Sequence, residues 1–278
     1  SLSVYVYVSQ QLQHYTILHN KYIMKLYQHV DQKFNKEKLN RFKKSRGDKK
    51  INAFSYNITQ KTAELNYTYN FEWLGVPIIQ YPDDMILTQE IIYKINPDLI
   101  IETGIARAGS MIFYASLLQL LGKKNSKVIG IDIDIRKHAF DVYKNHFLNK
   151  RLKFFEGSSI EKETFKKVSN YSKKFKKILI ILDSCHTHNH VLEELKLYSG
   201  LVSHNSYLLV FDTTIHKFNP ANLKKIKRNM PNSDTKNNPY TAIKSFLKIN
   251  KKFKLLKKYN SRVFATNLWS GVLFKDTK

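Results

Sequence analysis

Residues 178–190 read Ile-Leu-Ile-Ile-Leu-Asp-Ser-Cys-His-Thr-His-Asn-His. Five unbroken apolar residues fit a strand buried on both faces, the way strands of a parallel sheet read. Asp183 then stands where strand gives way to loop. That carboxyl edge is where open α/β sheets bind their ligands. Three histidines and the only cysteine follow at once. His186 and His190 have the i, i+4 spacing of a zinc pair, but no glutamate lies between them as in a metalloprotease, so zinc is set aside. Cys185 reads as a small filler residue, and His188 and His190 as helix-start or packing residues.

The same rhythm extends outward in both directions. Further strands are expected at 99–102, 128–131, 152–155 and 207–211, with helices at 109–121, 136–148, 161–171 and 190–198. Strands alternating with helices predict a doubly wound α/β fold, a Rossmann-like sheet of mostly parallel strands. A helix at 240–249 and strands at 253–256 and 272–274 bring the sheet to seven strands. Upstream, Pro82-Asp83-Asp84 is read as the cap of a helix running to Ile95, which Asn96-Pro97 stops. Residues 215–239 are basic and rich in asparagine and proline, too long for an ordinary connector, and are read as a candidate substrate lid.

Residues 1–70 are expected to form a basic, mainly helical extension, and 71–278 the main domain. Leu18, Tyr22, Leu26 and Val30 predict a helix through about residue 33, and 36–50 reads as a solvated or flexible segment. The whole chain has 47 Lys+Arg against 22 Asp+Glu, a net charge of +25. The lysines are spread over most surface segments instead of forming one stripe, so nucleic acid is not the expected partner. Eleven Lys/Arg against three Asp/Glu between Lys21 and Lys50 leave open a peripheral contact with an anionic membrane. One cysteine makes no internal disulfide, and no apolar run approaches the ~18 residues of a membrane span. A cytoplasmic location, peripheral to the inner membrane face at most, is the expectation, and a homo-oligomer the expected assembly.

Glu102-Thr103-Gly104-Ile105-Ala106-Arg107-Ala108-Gly109-Ser110 follows the first expected parallel strand and opens a helix. A dinucleotide fingerprint needs a glycine where Ala106 stands, and a P-loop needs Lys-Ser/Thr after its last glycine. Neither is supplied. What remains is an acid, a glycine allowing close approach, and a helix start at Gly109-Ser110. Asp132, at the tip of the neighbouring strand, is placed to accept both hydroxyls of a ribose. The combination suits a nucleoside without a diphosphate, which S-adenosylmethionine presents, with Glu102 toward its methionine end. Ser158 and Ser159, after the third strand, fall near the adenine or simply cap a helix. Asp183 and Asp212 end the fourth and fifth strands. If those strands are neighbours, two carboxylates plus waters suit a hard cation such as Mg2+ or another divalent ion. His186 is then the candidate general base.

Several runs together resemble the cephalosporin hydroxylase family. They are Pro97–Gly104 with Gly109-Ser110, Val128–Asp134, Leu182-Asp183-Ser184 with His186, Val191–Tyr198, and Ser206–Thr213. The resemblance covers about Phe71 to Phe274. It implies a class I fold and a magnesium-dependent O-methyltransferase using S-adenosylmethionine, like the rhamnosyl O-methyltransferases encoded with surface-polysaccharide enzymes. It places Glu102, Gly104 and Asp132 at the cofactor, Asp183 and Asp212 at the metal, and His186 near the reacting hydroxyl. The expected acceptor is a carbohydrate or glycolipid hydroxyl. Three positions depart from the family's pattern: Phe211 where an acid is common, Ala108 where a second glycine is common, and Cys185 in place of a polar residue. The rival expectations are a nucleic-acid methyltransferase, suggested by charge, and a non-catalytic scaffold keeping a degenerate fold, suggested by Phe211.

Overall fold

The computed structural model describes residues 32–226, 232–260 and 262–276. Two compact units divide between Asp48 and Lys49. Within the first, α1 (Gln32–Gly47) is a mostly exposed helix bearing the surface ion pair Glu37–Arg41. The helix expected from Leu18 lies almost wholly outside the described residues. The stretch 36–50, read as solvated or flexible, is solvated but helical: α1 occupies most of it, and α2 (Lys49–Glu64) opens directly after Asp48.

The second unit starts at Lys49, ahead of the boundary expected at residue 71. The reason is a set of hydrogen bonds far along the chain. Ser55 Oγ donates to the carbonyl of Phe264 at 2.5 Å, and Thr266 N donates to Thr59 Oγ1 at 3.3 Å. A hairpin of β1 (Phe71–Trp73) and β2 (Val76–Ile78) follows, then α3 (Pro82–Ile95). Asn96, left-handed at φ 52°, ends α3 by donating its N–H to the carbonyl of Ile92, an expected place for asparagine.

The main sheet comprises β3 (Leu99–Thr103), β4 (Lys127–Asp132), β5 (Leu152–Glu156), β6 (Ile178–Leu182), β7 (Ser206–Val210), β8 (Phe253–Leu255) and β9 (Val272–Lys275). Their spatial order is β5-β4-β3-β6-β7-β9-β8. The first five are parallel, while β9 runs antiparallel to both β7 and β8. The connecting helices are α4 (Gly109–Leu120), α5 (Lys137–Asn145), α6 (Lys162–Ser172), α7 (His188–Tyr198), α8 (Pro220–Ile226) and α9 (Pro239–Ile249). Fold class and seven strands agree with the sequence reading.

β3, β6 and β7 are buried at every residue, which is what their unbroken apolar runs require. Ile100, Leu179, Ile181 and Leu209 face α3 and α4 through Ile92, Met111 and Ile112. Ile101, Ile180, Leu208 and Val210 face α6, α7 and α9 through Val168, Leu195 and Phe246. Strand order reverses at β3, whose neighbours are β4 and β6. The crevice outside the carboxyl ends of such strands is the ligand site of open α/β sheets. Among the described residues, no helix is long and apolar enough to cross a membrane.

Candidate active site

A cavity of about 440 Å3 opens at that reversal. Its floor is formed by the ends of β3, β4, β6 and β7, through Gly104, Asp132, Asp183 and Asp212. Thr103 O accepts from Asp183 N at 2.9 Å and Ile131 O from Gly104 N at 2.8 Å, so adjacent strands lock the two loops together. Gly104 sits at φ +79°, and a Cβ there would lie 2.1 Å from the carbonyl oxygen of Asp183. The close approach that requires this glycine is therefore to the neighbouring loop. Gly109 is likewise packed on β2: a Cβ would lie 2.1 Å from the carbonyl oxygen of Pro77.

Asp132 shapes the loop above Gly104. Its Oδ2 accepts from Ile105 N at 3.0 Å and Ala106 N at 3.3 Å, and its Oδ1 accepts from Asp134 N at 3.2 Å. These bonds hold Ala106 at φ 44°, a conformation that glycine adopts more easily. Three of the roughly four acceptor directions of a carboxylate are used. Asp132 thus keeps about one of its four acceptor directions free beside the cavity, where the sequence reading expects two ribose hydroxyls.

Glu102 is fully buried behind the cavity wall. Its carboxyl accepts from Ser110 Oγ at 2.7 Å and Tyr114 OH at 3.1 Å. Burial pushes its pKa up to about 8, with those two hydrogen bonds opposing the rise. Ser110 lines the cavity in its place. Ser158 and Ser159 lie outside the lining. Ser159 Oγ donates to Glu194 Oε1 at 2.6 Å and sits 3.0 Å from His190 Nε2, so it joins a buried network that ties the β5 loop to α7. His188 is occupied by Thr241, 2.8 Å from its Nδ1. His188 and His190 open α7 with polar partners, and neither lines the cavity.

Asp183, His186 and Asp212 converge: one ligand atom from each lies within 4.8 Å of the others, and no other such group of three occurs among the described residues. Strands β6 and β7 are neighbours, as this convergence requires. Asp212 stands at φ 53°, ahead of the 3-10 turn Thr213–Lys217. His186 Nδ1 is 3.0 Å from Asp212 Oδ2, while Asp212 Oδ1 is buried without a hydrogen-bond partner. Burial lifts Asp183 well above the usual carboxylate range, and the charges of Asp212 and Glu102 lift it further. Burial disfavours a charged His186, but Asp212 outweighs it, so its pKa is raised overall. Phe211, 3 % exposed, lines the cavity and offers no donor.

Sequence pattern gives Asp84 no role beyond a helix cap. In the structure it caps nothing in α3 and lines the cavity. It accepts from Asn267 N at 2.7 Å and from the Thr266 hydroxyl. That turn in turn holds the residues after Asp212: Thr213 N donates to Asn267 O at 3.0 Å, and Thr214 Oγ1 to Thr266 O at 2.7 Å. Burial pushes Asp84 up to about 7, with hydrogen bonds from Thr266 and Asn267 opposing. The remaining wall comes from the segment preceding β1 and from the expected lid. Asn66, Thr68 and Tyr69 line it, and Phe218 and Ile226 pack with Ala63. Residues 227–231 of the lid stretch lie outside the described residues.

Asp84 and Glu102 have folded pKa values above their unfolded ones. Their contribution to stability is present below about pH 4 and is lost as pH rises through about 7 to 8. Without ligands, the melting temperature is expected to fall between pH 6 and pH 8.5, by roughly 10 °C if about 3 kcal/mol is lost. Calorimetric scans across that range check it, and a flat profile would contradict the burial of these groups as neutral acids.

Comparison with known proteins gives the family. Residues 65–275 match the family described as Rhamnosyl O-methyltransferase/CmcI. The rhamnosyl O-methyltransferase of Mycobacterium tuberculosis is 31% identical over 145 residues, covering 52% of this chain and 57% of that protein. That of Mycobacterium leprae is 29% identical over 153 residues, covering 54% and 64%. The chain thus spans less than two thirds of the length of these curated relatives. Among solved structures, the Mg-SAM form of CmcI aligns with a TM-score of 0.54 at 17% identity, covering 74% of this chain and 77% of that one. Its apo-structure gives 0.55 at 17%, covering 76% and 78%. At such identity the likeness establishes the fold, a Rossmann-like class I sheet.

Proposed function

The chain belongs to the rhamnosyl O-methyltransferase/CmcI family, and from that premise we propose that it is an S-adenosylmethionine-dependent O-methyltransferase. Its acceptor is a sugar hydroxyl of a surface polysaccharide, glycolipid or related glycoside. A rhamnosyl unit is the acceptor that the relatives' name suggests. The observation that carries the reading is the Asp183–His186–Asp212 cluster, with the buried Asp212 Oδ1 lacking a partner, at the same sheet edge as the Gly104 loop.

The residues fit both S-adenosylmethionine and a divalent cation. Two carboxylates side by side, one with an unpartnered buried oxygen, are a costly arrangement that a divalent cation relieves. Asp183 and Asp212 would hold it. Asp132, Ser110 and the backbone around Gly104 would hold the cofactor. When bound, S-adenosylmethionine supplies a sulfonium methyl open to displacement by oxygen, and the cation supplies positive charge beside the acceptor.

The chain's own part follows from the division of labour at Asp212. Its buried Oδ1 has no hydrogen-bond partner and would be the oxygen that holds the cation, while its Oδ2 accepts from His186 Nδ1–H. That hydrogen bond fixes the imidazole tautomer and leaves Nε2 to take the proton of the acceptor hydroxyl. The left-handed Asp212 is held by Thr213 and Thr214, and through their turn by Asp84. Phe211, Tyr81 and Phe218 line the cavity and exclude water from the acceptor side. Most of the gain is positional, the nucleophile being held close to its electrophile.

Calorimetry with S-adenosylmethionine, with and without Mg2+, followed by transfer of a labelled methyl group to the host's envelope glycans, tests the reading. Cofactor binding and label in the glycan fraction are expected, with little loss as salt is raised. No cofactor binding would support a scaffold protein. Binding to nucleic acid that weakens steeply with salt would support the nucleic-acid rival.

A further inference from the structure

Gln80 lies between β2 and α3, is 3 % exposed and lines the cavity. Its Nε2 donates to Tyr114 OH at 3.1 Å, and Tyr114 OH donates to Glu102 Oε1 at 3.1 Å. Glu102 Oε2 accepts from Ser110 Oγ at 2.7 Å. The direction of these bonds fixes the amide. With Glu102 ionised, as a bound cation at the far end of the relay would favour, Tyr114 gives its one proton to the carboxylate and its oxygen accepts from the Gln80 amide nitrogen. Gln80 Oε1 is then the end left over, and it is buried with no donor. A buried acceptor without a donor is costly and calls for an explanation.

The missing partner must donate, because a carbonyl oxygen can only accept. Its charge follows from the other end of the relay. Glu102, Tyr114 and Gln80 align their dipoles so that Oε1 carries negative character outward from a buried acid, and hydrogen bonds in such a chain polarise one another. A cationic donor gains most from that arrangement, and in turn favours the ionised form of Glu102.

We propose that Gln80 Oε1 is the acceptor for the α-ammonium group of the cofactor's amino-acid portion, with Tyr114 and Glu102 as the positioning residues behind it. The inference rests on the cofactor reading above and deepens it. It also gives Glu102 a role at a distance: the acid at the end of β3 reaches the methionine end of the cofactor through two other side chains.

The test compares ligands with and without the amino-acid portion. Binding of S-adenosylmethionine, S-adenosylhomocysteine and 5′-methylthioadenosine is measured by calorimetry on the full chain and on its Gln80→Met variant. Methionine keeps the length of the side chain and removes the acceptor. The proposal expects the first two ligands to weaken roughly 10- to 100-fold, as for a hydrogen bond to a charged group, and methylthioadenosine to bind unchanged, which also shows that the variant folds. Tyr114→Phe should weaken the same two ligands in the same direction by less, roughly 3- to 10-fold, because the amide loses its anchor. Equal weakening of all three ligands would overturn the proposal, since Gln80 would then only shape the pocket. Unchanged cofactor binding with a raised acceptor KM would overturn it too, by assigning Oε1 to an acceptor hydroxyl. If the unaltered chain binds none of the three, the cofactor reading itself fails and the proposal falls with it.

Discussion

Replacing Asp183 with asparagine is expected to lower methyl transfer roughly 1,000-fold, the scale of losing one charged group aimed at a reacting centre, while S-adenosylmethionine still binds. The side chain keeps its shape, and the backbone bond from Asp183 N to Thr103 O that locks the loops is untouched. What disappears is one of the two carboxylates proposed to hold a divalent cation, and affinity for that cation should fall with it. Fold stability should move the opposite way. Asp183 is a carboxyl whose ionisation is opposed by burial and by Asp212 and Glu102, so a neutral amide removes a like-charge conflict. A ligand-free variant that melts at or above the temperature of the unaltered chain, binds cofactor, and fails in single-turnover transfer is the expected result. An Asp183→Asn enzyme that transfers methyl at the original rate would remove the carboxylate pair from the mechanism.

The second large effect is expected at His186. His186→Gln should lower transfer roughly 10²- to 10⁴-fold, the usual contribution of a positioned base, with cofactor affinity close to that of the unaltered chain. Glutamine retains a polar group for Asp212 but has no nitrogen of suitable basicity to take a proton. The sharper version is His186→Gly, which empties the position between Asp212 and the acceptor. Added imidazole should restore part of the rate, because the 3.0 Å bond from Nδ1 to Asp212 would guide a free imidazole into place as it holds the side chain. Rescue that saturates with imidazole and is absent in an Asp183→Asn background would identify the base. A His186→Gly enzyme with unaltered turnover would show that the proton leaves by another path.

Much of this arrangement is legible along the chain. The five apolar residues before Asp183 and the five buried ones before Phe211-Asp212 announce strands covered on both faces, and the alternation with helices leaves few ways to order them. The acids at the strand ends then meet because β6 and β7 are neighbours. Other features depend on contacts that local pattern does not report. Asp84 looks like a helix cap in Pro82-Asp83-Asp84, and its true partners lie 182 and 183 residues away. Gln80 carries no sequence signal at all, because its meaning comes from Tyr114 on another element. Position at a strand end places Glu102, and position in the loop after β5 places Ser159, at the cofactor, but both side chains turn into buried hydrogen bonds. The helix over 32–47 escapes a pattern reading because its apolar residues form no strong stripe and most of its surface is solvated.

The turn at residues 264–267 is the feature with the longest reach. It receives Ser55 and Thr59 from α2, is held by Asp83 and Asp84 at the start of α3, and supports Thr213 and Thr214 beside Asp212. On the ribosome, those earlier segments emerge well before it, and the chain grows from its amino end. A chain extending only through β7 lacks the backbone groups of residues 266 and 267 that bond to Thr213 and Thr214 beside the left-handed Asp212. The pose of Asp212 is therefore a long-range property of the chain: it depends on backbone groups more than 50 residues further along, beyond the last parallel strand.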